Sequence, residues 1–126
     1  MFGSSKASMS FAYKTKYSLE ERKDQSEKIL AKYYNYIPVI VECDPSMGTM
    51  KKQKFLVPHN VNCSHIISAV RNQMKVDPSK SIFLFFNDSI ICPTENANVV
   101  YRRYLCDVND GDKFFYIYVT FENTFG

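Results

Sequence analysis

Residues 81–86 read SIFLFF, and this run decides the fold class. Its side chains do not alternate between polar and apolar, which is typical of a strand covered on both faces, so a central strand is predicted. Asn87, Asp88 and Ser89 follow at once and are typical turn residues. A second apolar run, at residues 114–121, is the other candidate for a central strand. The sequence therefore predicts a sheet with two central strands from this half of the chain.

Two more strands are predicted earlier in the chain. Residues 37–41 (IPVIV) are apolar and rich in β-branched side chains, and Pro38 cannot donate to a ladder, which predicts an edge strand. Residues 54–57 (KFLV) read as a strand that Pro58 ends. Turn formers at residues 44–48 separate the two runs, so we expect them to form a hairpin.

Helical patterns occupy the intervals between these strands. Ser18 and Glu21 have the spacing of a capping box, so a helix is expected to begin there and to end near Asn35. A second helix should follow a cap at Asn62 or Ser64, and a weaker helical pattern precedes the final strand. With a short strand at residues 90–91, this order predicts an α+β fold, a ubiquitin-like β-grasp with an added N-terminal helical segment.

The length of the chain favours a single domain. Its 126 residues are 45% hydrophobic, which is enough for one core. Residues 1–12 are rich in serine and are predicted to be a flexible N-terminal arm, and residues 13–121 are the ubiquitin-like domain with its N-terminal helices. Residues 122–126 come directly after the last strand and are predicted to project as a C-terminal tail.

Composition argues against several classes of protein. The 16 Lys and Arg residues against 13 Asp and Glu give a charge of only +3, too weak to predict nucleic-acid binding. The four cysteines form no C-x-x-C pair, so neither a metal site nor a disulfide framework is predicted. The four glycines are scattered and form no phosphate loop, and no cofactor is expected. Without a signal peptide or a long apolar span, a soluble cytoplasmic protein is expected.

Catalysis has weak support. The chain has two histidines, His59 and His65, and the nearest pairing of a nucleophile with a base is Cys63-x-His65. At a helix start these two side chains would point in different directions, so no enzyme and no catalytic residue are predicted. The aromatic residues of the two central runs could stack on bases, but basic residues are not interleaved with them, which favours a sheet core.

Five segments resemble a known family when they are taken together. They are YIPVIVE at residues 36–42, KFLVP at 54–58, IFLFFND at 82–88, FYIYVT at 115–120 and ENTFG at 122–126. In this order they resemble the autophagy-related protein 8 family, which includes the light chain 3 and GABA-receptor-associated proteins. The resemblance extends from about residue 13 to Gly126.

The resemblance implies a ubiquitin-like modifier that acts in autophagosome formation. The Gly126 carboxylate would be activated as a thioester by the activating and conjugating enzymes of autophagy and passed to phosphatidylethanolamine, which places the protein on the autophagosome membrane. A cysteine protease of the family would remove any residues that follow Gly126 and would later release the lipidated protein. One alternative is a β-grasp scaffold that binds peptides without conjugation, and another is a protein-to-protein modifier like ubiquitin.

The resemblance also implies two pockets for a receptor peptide with an aromatic-x-x-aliphatic motif, added as an extended strand to a sheet edge. Gln25 stands where relatives often have an acidic residue, and Tyr36 stands at a commonly basic position. Charge selection of the peptide is therefore expected to differ from that of relatives. Pocket 1 is assigned to Ile29, Pro38, Ile40, Lys54, Leu56 and Tyr116, and pocket 2 to Phe55, Val57, Pro58, Val61, Ile66 and Ala69.

Overall fold

The computed structural model describes residues 11–108 and 111–121. Most of the predicted arm at residues 1–12 lies outside the described residues, and so does the whole predicted tail with Gly126. Four α-helices are present in the described part of the chain: α1 (Ala12–Lys16), α2 (Leu19–Lys32), α3 (Ser64–Met74) and α4 (Ala97–Val108).

Five strands form one mixed sheet in the order β2-β1-β5-β3-β4. β1 and β5 run parallel at the centre, and the other neighbouring pairs are antiparallel. Both runs predicted to be central strands are interior, since β5 lies in the middle of the sheet and β3 lies between β5 and β4. The strands are β1 (Tyr36–Cys43), β2 (Lys54–Pro58), β3 (Phe83–Phe86), β4 (Ser89–Ile91) and β5 (Phe115–Thr120).

The prediction that residues 37–41 form an edge strand is wrong. β1 lies between β2 and β5, and β2 is the edge. Pro38 is compatible with this interior position because the pairing of β1 with β5 begins only at Val39. At Pro38 itself, β1 is paired with β2 alone, so no backbone donor is needed on the other side. The hairpin of β1 and β2 is confirmed, and a short 3-10 helix (Pro45–Met47) occupies its connection.

The helix boundaries agree with the sequence in part. The capping box is confirmed, since Ser18 accepts from the Glu21 amide and Glu21 accepts from the Ser18 amide. α2 ends at Lys32 rather than near Asn35, because the chain turns there to enter β1. The predicted side-chain cap of α3 is wrong. The amides of Cys63 and Ser64 instead donate to backbone carbonyls of the segment before α4.

Helices cover both faces of the sheet. The ring of Phe115 in β5 lies 4.8 Å from that of Tyr104 in α4, measured between centroids. The hydroxyl of the next residue, Tyr116, donates to Asp112, which also accepts from Arg22 in α2. Because successive residues of a strand point to opposite faces, α2 and α4 lie on opposite sides of the sheet. We call these sides the α2 face and the α4 face.

Candidate functional site

Strand β2 is an open edge of the sheet, which is where an added peptide strand would bind. An edge strand has a row of backbone donors and acceptors that no neighbouring strand uses. Two side chains of β2, Lys54 and Leu56, are exposed, and Leu56 keeps 39% of its surface accessible. β2 therefore offers both backbone groups and an apolar contact on its outer side.

The residues predicted for pocket 1 lie together on the α2 face. The register pairs Ile40 with both Lys54 and Tyr116, so these three side chains lie in one row across the sheet. Residues two positions apart along a strand share a face, and α2 packs against β1 on this side. The strand residues that the register brings together here are Pro38, Ile40, Lys54, Leu56 and Tyr116. Ile29, the remaining predicted member, lies on α2 and packs against the core.

The residues predicted for pocket 2 lie mainly on the opposite side. Phe55 and Val57 alternate with Lys54 and Leu56 and therefore face the α4 side. Val57 belongs to the same buried cluster as Ile66 of α3, and Phe55 packs against that cluster. Pro58 ends β2 and borders a separate cavity. Val61 and Ala69 are partly buried, Val61 before α3 and Ala69 within it.

Accessibility divides the two predicted pockets into walls and floors. Four members are at most 2% exposed and are part of the hydrophobic core: Ile40, Tyr116, Val57 and Ile66. A bound peptide could therefore contact them only at the bottom of a pocket. The accessible members are Ile29, Lys54, Phe55, Leu56, Pro58, Val61 and Ala69, which are partly or largely exposed.

Contacts around Lys54 add residues that the sequence did not assign to pocket 1. Its Nζ atom lies 3.4 Å from Gln25 Oε1 and 3.5 Å from the Tyr13 hydroxyl, which itself donates to Gln25 Oε1. The same Nζ atom lies 5.4 Å from the ring centroid of Tyr13 and 5.7 Å from that of Phe114. Both rings are within cation–π range. Phe114 could have been found by alternation from Tyr116, whereas nothing local connects Tyr13 with Lys54.

A buried ion pair holds α2 against the sheet beside this site. Arg22 Nη1 donates to Asp112 Oδ2 at 2.7 Å, and the Asp112 side chain has no exposed surface. Asp112 also accepts from the Tyr116 hydroxyl at 2.8 Å and from the Phe114 amide at 2.9 Å. Burial raises the pKa of Tyr116, which keeps its hydroxyl protonated as a donor. Arg22 of α2 and Tyr116 of β5, which border pocket 1 from two elements, are therefore both held by Asp112.

Gln25 and Tyr36, the two departures in charge, lie near opposite ends of β2. Gln25 contacts Lys54 at the start of the strand, whereas Tyr36 is paired with Pro58 at its end. Each departure should therefore influence a different end of a bound peptide.

Cys63, the candidate nucleophile of the Cys63-x-His65 pairing, lies in the core. Cys63 is fully buried, and burial together with the nearby Glu95 raises the pKa of its thiol to about 11. A protonated, inaccessible thiol is a poor nucleophile. Residues 11–108 and 111–121 contain no group of three or more His, Cys, Asp or Glu side chains that could hold a metal ion. Among the helices of this part of the chain, none is long and apolar enough to cross a membrane.

Comparison with known proteins agrees with the fold and with the pattern of segments. A family described as "Autophagy protein Atg8 ubiquitin like" matches residues 21–126. Autophagy-related protein 8 of Vanderwaltozyma polyspora is 33% identical over 120 residues, which cover 94% of this chain and 98% of the relative. Autophagy-related protein 8i of Arabidopsis thaliana is 33% identical over 117 residues, 91% of this chain and 98% of the relative.

A solved structure gives the same architecture. The crystal structure of Trypanosoma brucei ATG8 superposes with a TM-score of 0.82 and covers 94% of this chain and 100% of its own, at 24% sequence identity. This likeness confirms the ubiquitin-like α+β fold, and the curated relatives confirm the resemblance read from the sequence. The chain belongs to the autophagy-related protein 8 family of ubiquitin-like autophagy proteins.

Proposed function

We propose that this protein is a membrane tag of autophagy, conjugated through Gly126 to phosphatidylethanolamine, and an adaptor for receptor peptides. The observation that carries the proposal is the family match, which extends to Gly126 itself. Residues 1–12 would act as an arm, 13–121 as the binding domain and 122–126 as the reactive tail. Between reactions the protein would be cytoplasmic, and after lipidation it would lie on the autophagosome membrane.

The chemistry requires only that the Gly126 carboxylate be reachable. The activating enzyme would adenylate this carboxylate with ATP and release pyrophosphate, and an enzyme thiolate would then displace AMP to form a thioester. The amine of phosphatidylethanolamine would then attack the carbonyl, forming an amide and releasing the thiolate. Glycine suits these steps because it has no Cβ beside the carbonyl. The protein itself would catalyse nothing, and a cysteine protease would free Gly126 where residues follow it and reverse the conjugation.

Two acyl chains on one tail explain why the proposed conjugation would anchor the protein. A single acyl chain gives only marginal and reversible binding to a bilayer, whereas two give stable attachment. Incubation with purified activating and conjugating enzymes, ATP and phosphatidylethanolamine vesicles tests the proposal, since a lipidated species should appear.

The geometry of β2 supports the docking part of the proposal. In an extended peptide, residues three positions apart point to opposite faces, and the two predicted pockets lie on opposite sides of β2. An aromatic residue and an aliphatic residue separated by two others could therefore fill both pockets at once. Along β2, pocket 1 flanks Lys54 and Leu56, whereas pocket 2 flanks Phe55, Val57 and Pro58 and so extends farther toward the end of the strand. A peptide that fills pocket 1 first would therefore run parallel to β2.

The first prediction concerns Leu56 and the strength of docking. A short peptide that fills two pockets should bind at roughly micromolar strength, about 8 kcal/mol. Leu56→Ala should weaken binding by about 1–3 kcal/mol, because the peptide would bury the accessible part of this side chain. Isothermal calorimetry measures both values, and Ile90→Ala is the control, since Ile90 is exposed on the opposite edge strand, β4. Unchanged affinity in a folded Leu56→Ala variant would remove Leu56 from the pocket.

The second prediction concerns charge selection before the aromatic residue of the peptide. Lys51, Lys52 and Lys54 are exposed, so an acidic residue there should be favoured over a basic one by at most about 1 kcal/mol. Gln25→Glu should reduce this preference, because the new carboxylate would pair with Lys54. Asn72→Asp is the control, since it makes the same change of charge at an exposed site on α3.

Titrations at low and high salt check this prediction. Exposed charges are screened over about 10 Å at 0.1 M salt, so the preference for an acidic residue should shrink as salt rises. A strong preference that salt leaves unchanged would mean that packing or hydrogen bonding reads this position, and the charge argument would be wrong.

A further inference from the structure

A cavity lies at the end of β2, next to predicted pocket 2, with which it shares Pro58. Its volume is about 350 Å³. Two hydrogen bonds to the backbone of His59 hold its walls. The His59 amide donates to the Asn35 carbonyl at 3.0 Å, and the side-chain nitrogen Nδ2 of Asn96 donates to the His59 carbonyl at 3.1 Å. The lining residues are Asn35, Tyr36, Pro58, His59 and Asn60.

The register places this cavity on the course of the proposed peptide. Tyr36 is paired with Pro58 and lies two residues before Pro38, so it shares the α2 face with pocket 1. A peptide running parallel to β2 would place its aromatic residue beside Lys54 and Leu56 and its aliphatic residue three positions later. The residue that directly follows the aliphatic one would return to the α2 face, about 13 Å beyond the aromatic residue at about 3.3 Å per residue. That level corresponds to the cavity.

The chemistry of the lining discriminates among side chains. Among the described residues, the five that line the cavity include no Asp, Glu, Lys or Arg, so recognition there would depend on stacking and hydrogen bonds rather than on an ion pair. The Tyr36 ring is 38% exposed and packs edge-on against Tyr33, with centroids 6.2 Å apart. Lys32 Nζ lies 5.3 Å from the centroid of the Tyr33 ring, which is within cation–π range.

We propose that this cavity is a third subsite, which receives the residue directly after the aliphatic residue of the peptide and selects arginine there. The planar guanidinium would stack on Tyr36 and donate to the amide oxygens of Asn35 and Asn60. The stem of arginine would lie along Pro58. This proposal rests on the peptide docking of the proposed function and adds a specificity that the two apolar pockets do not provide.

The test uses four peptides that differ only at this position, with arginine, lysine, glutamine or glutamate, titrated by calorimetry into the full chain. Arginine should bind about two- to fivefold more tightly than glutamine, and glutamate most weakly. A fifth peptide carries arginine one position later, where alternation turns the side chain to the other face. It should bind no better than the glutamine peptide.

Three variants of Tyr36 complete the experiment. Tyr36→Phe keeps the ring and should keep the arginine preference, Tyr36→Leu should abolish it, and Tyr36→Arg should make glutamate the tightest of the four. Equal binding of all four peptides to the unmodified chain, with Leu56→Ala still weakening each, would overturn the subsite and leave the docking proposal intact. Failure of every peptide to bind would overturn the docking proposal and the subsite together.

Discussion

Replacing Arg22 by methionine should lower the free energy of unfolding by about 3–5 kcal/mol, because it leaves the buried Asp112 carboxylate without its cation. Asp112 has no exposed side-chain surface, and the Arg22 side chain is 12% exposed. Two remaining donors, the Tyr116 hydroxyl and the Phe114 amide, would still bind the carboxylate but would not balance its charge. Equilibrium denaturation with urea measures the loss.

An exposed ion pair on the same helix provides the matched control. Lys28 and Asp24 are 3.0 Å apart with 76% and 61% of their side chains exposed, so Lys28→Met should change stability by no more than about 0.5 kcal/mol. In the double variant Arg22→Met with Asp112→Asn, the loss should be smaller than the sum of the two single losses. Equal effects of Arg22→Met and Lys28→Met would show that the buried pair does not hold α2 to the sheet.

Gly126→Ala should slow transfer to phosphatidylethanolamine by about a hundredfold, because a methyl group beside the reacting carbonyl misplaces it in the enzymes. Reconstitution with purified enzymes, ATP and vesicles measures the rate through the change in gel mobility of the lipidated species. Gly3→Ala adds the same methyl group at the other end of the chain and should leave the rate unchanged. If Gly126→Ala is lipidated as fast as the unmodified chain, Gly126 is not the site of conjugation.

Local patterns in the sequence predicted the elements of this fold well. The Ser18 capping box, the apolar run of β3 and the final strand β5 each depend on a few neighbouring residues, and all three were confirmed. The position of β1 was not predictable in this way, since Pro38 reports only on its own backbone amide. The second neighbour of β1 is β5, which comes about 75 residues later along the chain, and no pattern near Pro38 indicates that pairing.

In the candidate site, too, local features were predictable from the sequence, whereas contacts between distant residues were not. The resemblance assigned Lys54 and Leu56 to pocket 1 and Phe55 to pocket 2, and alternation along β2 places these side chains on opposite sides of the strand. The contact of Lys54 with Tyr13 joins residues about 40 positions apart in the chain, and no local pattern indicates it. The cavity beside Tyr36 likewise appears only when the start of β1 and the end of β2 are brought together.

Mass spectrometry of the C-terminus, on protein recovered from the membranes of cells undergoing autophagy, tests conjugation through Gly126 in the cell. We expect a peptide that ends at Gly126 and carries phosphatidylethanolamine in amide linkage. Treatment with a protease of the family should remove the lipid. A membrane-bound chain whose Gly126 is a free carboxylate, or is joined to a lysine of another protein, would contradict this expectation.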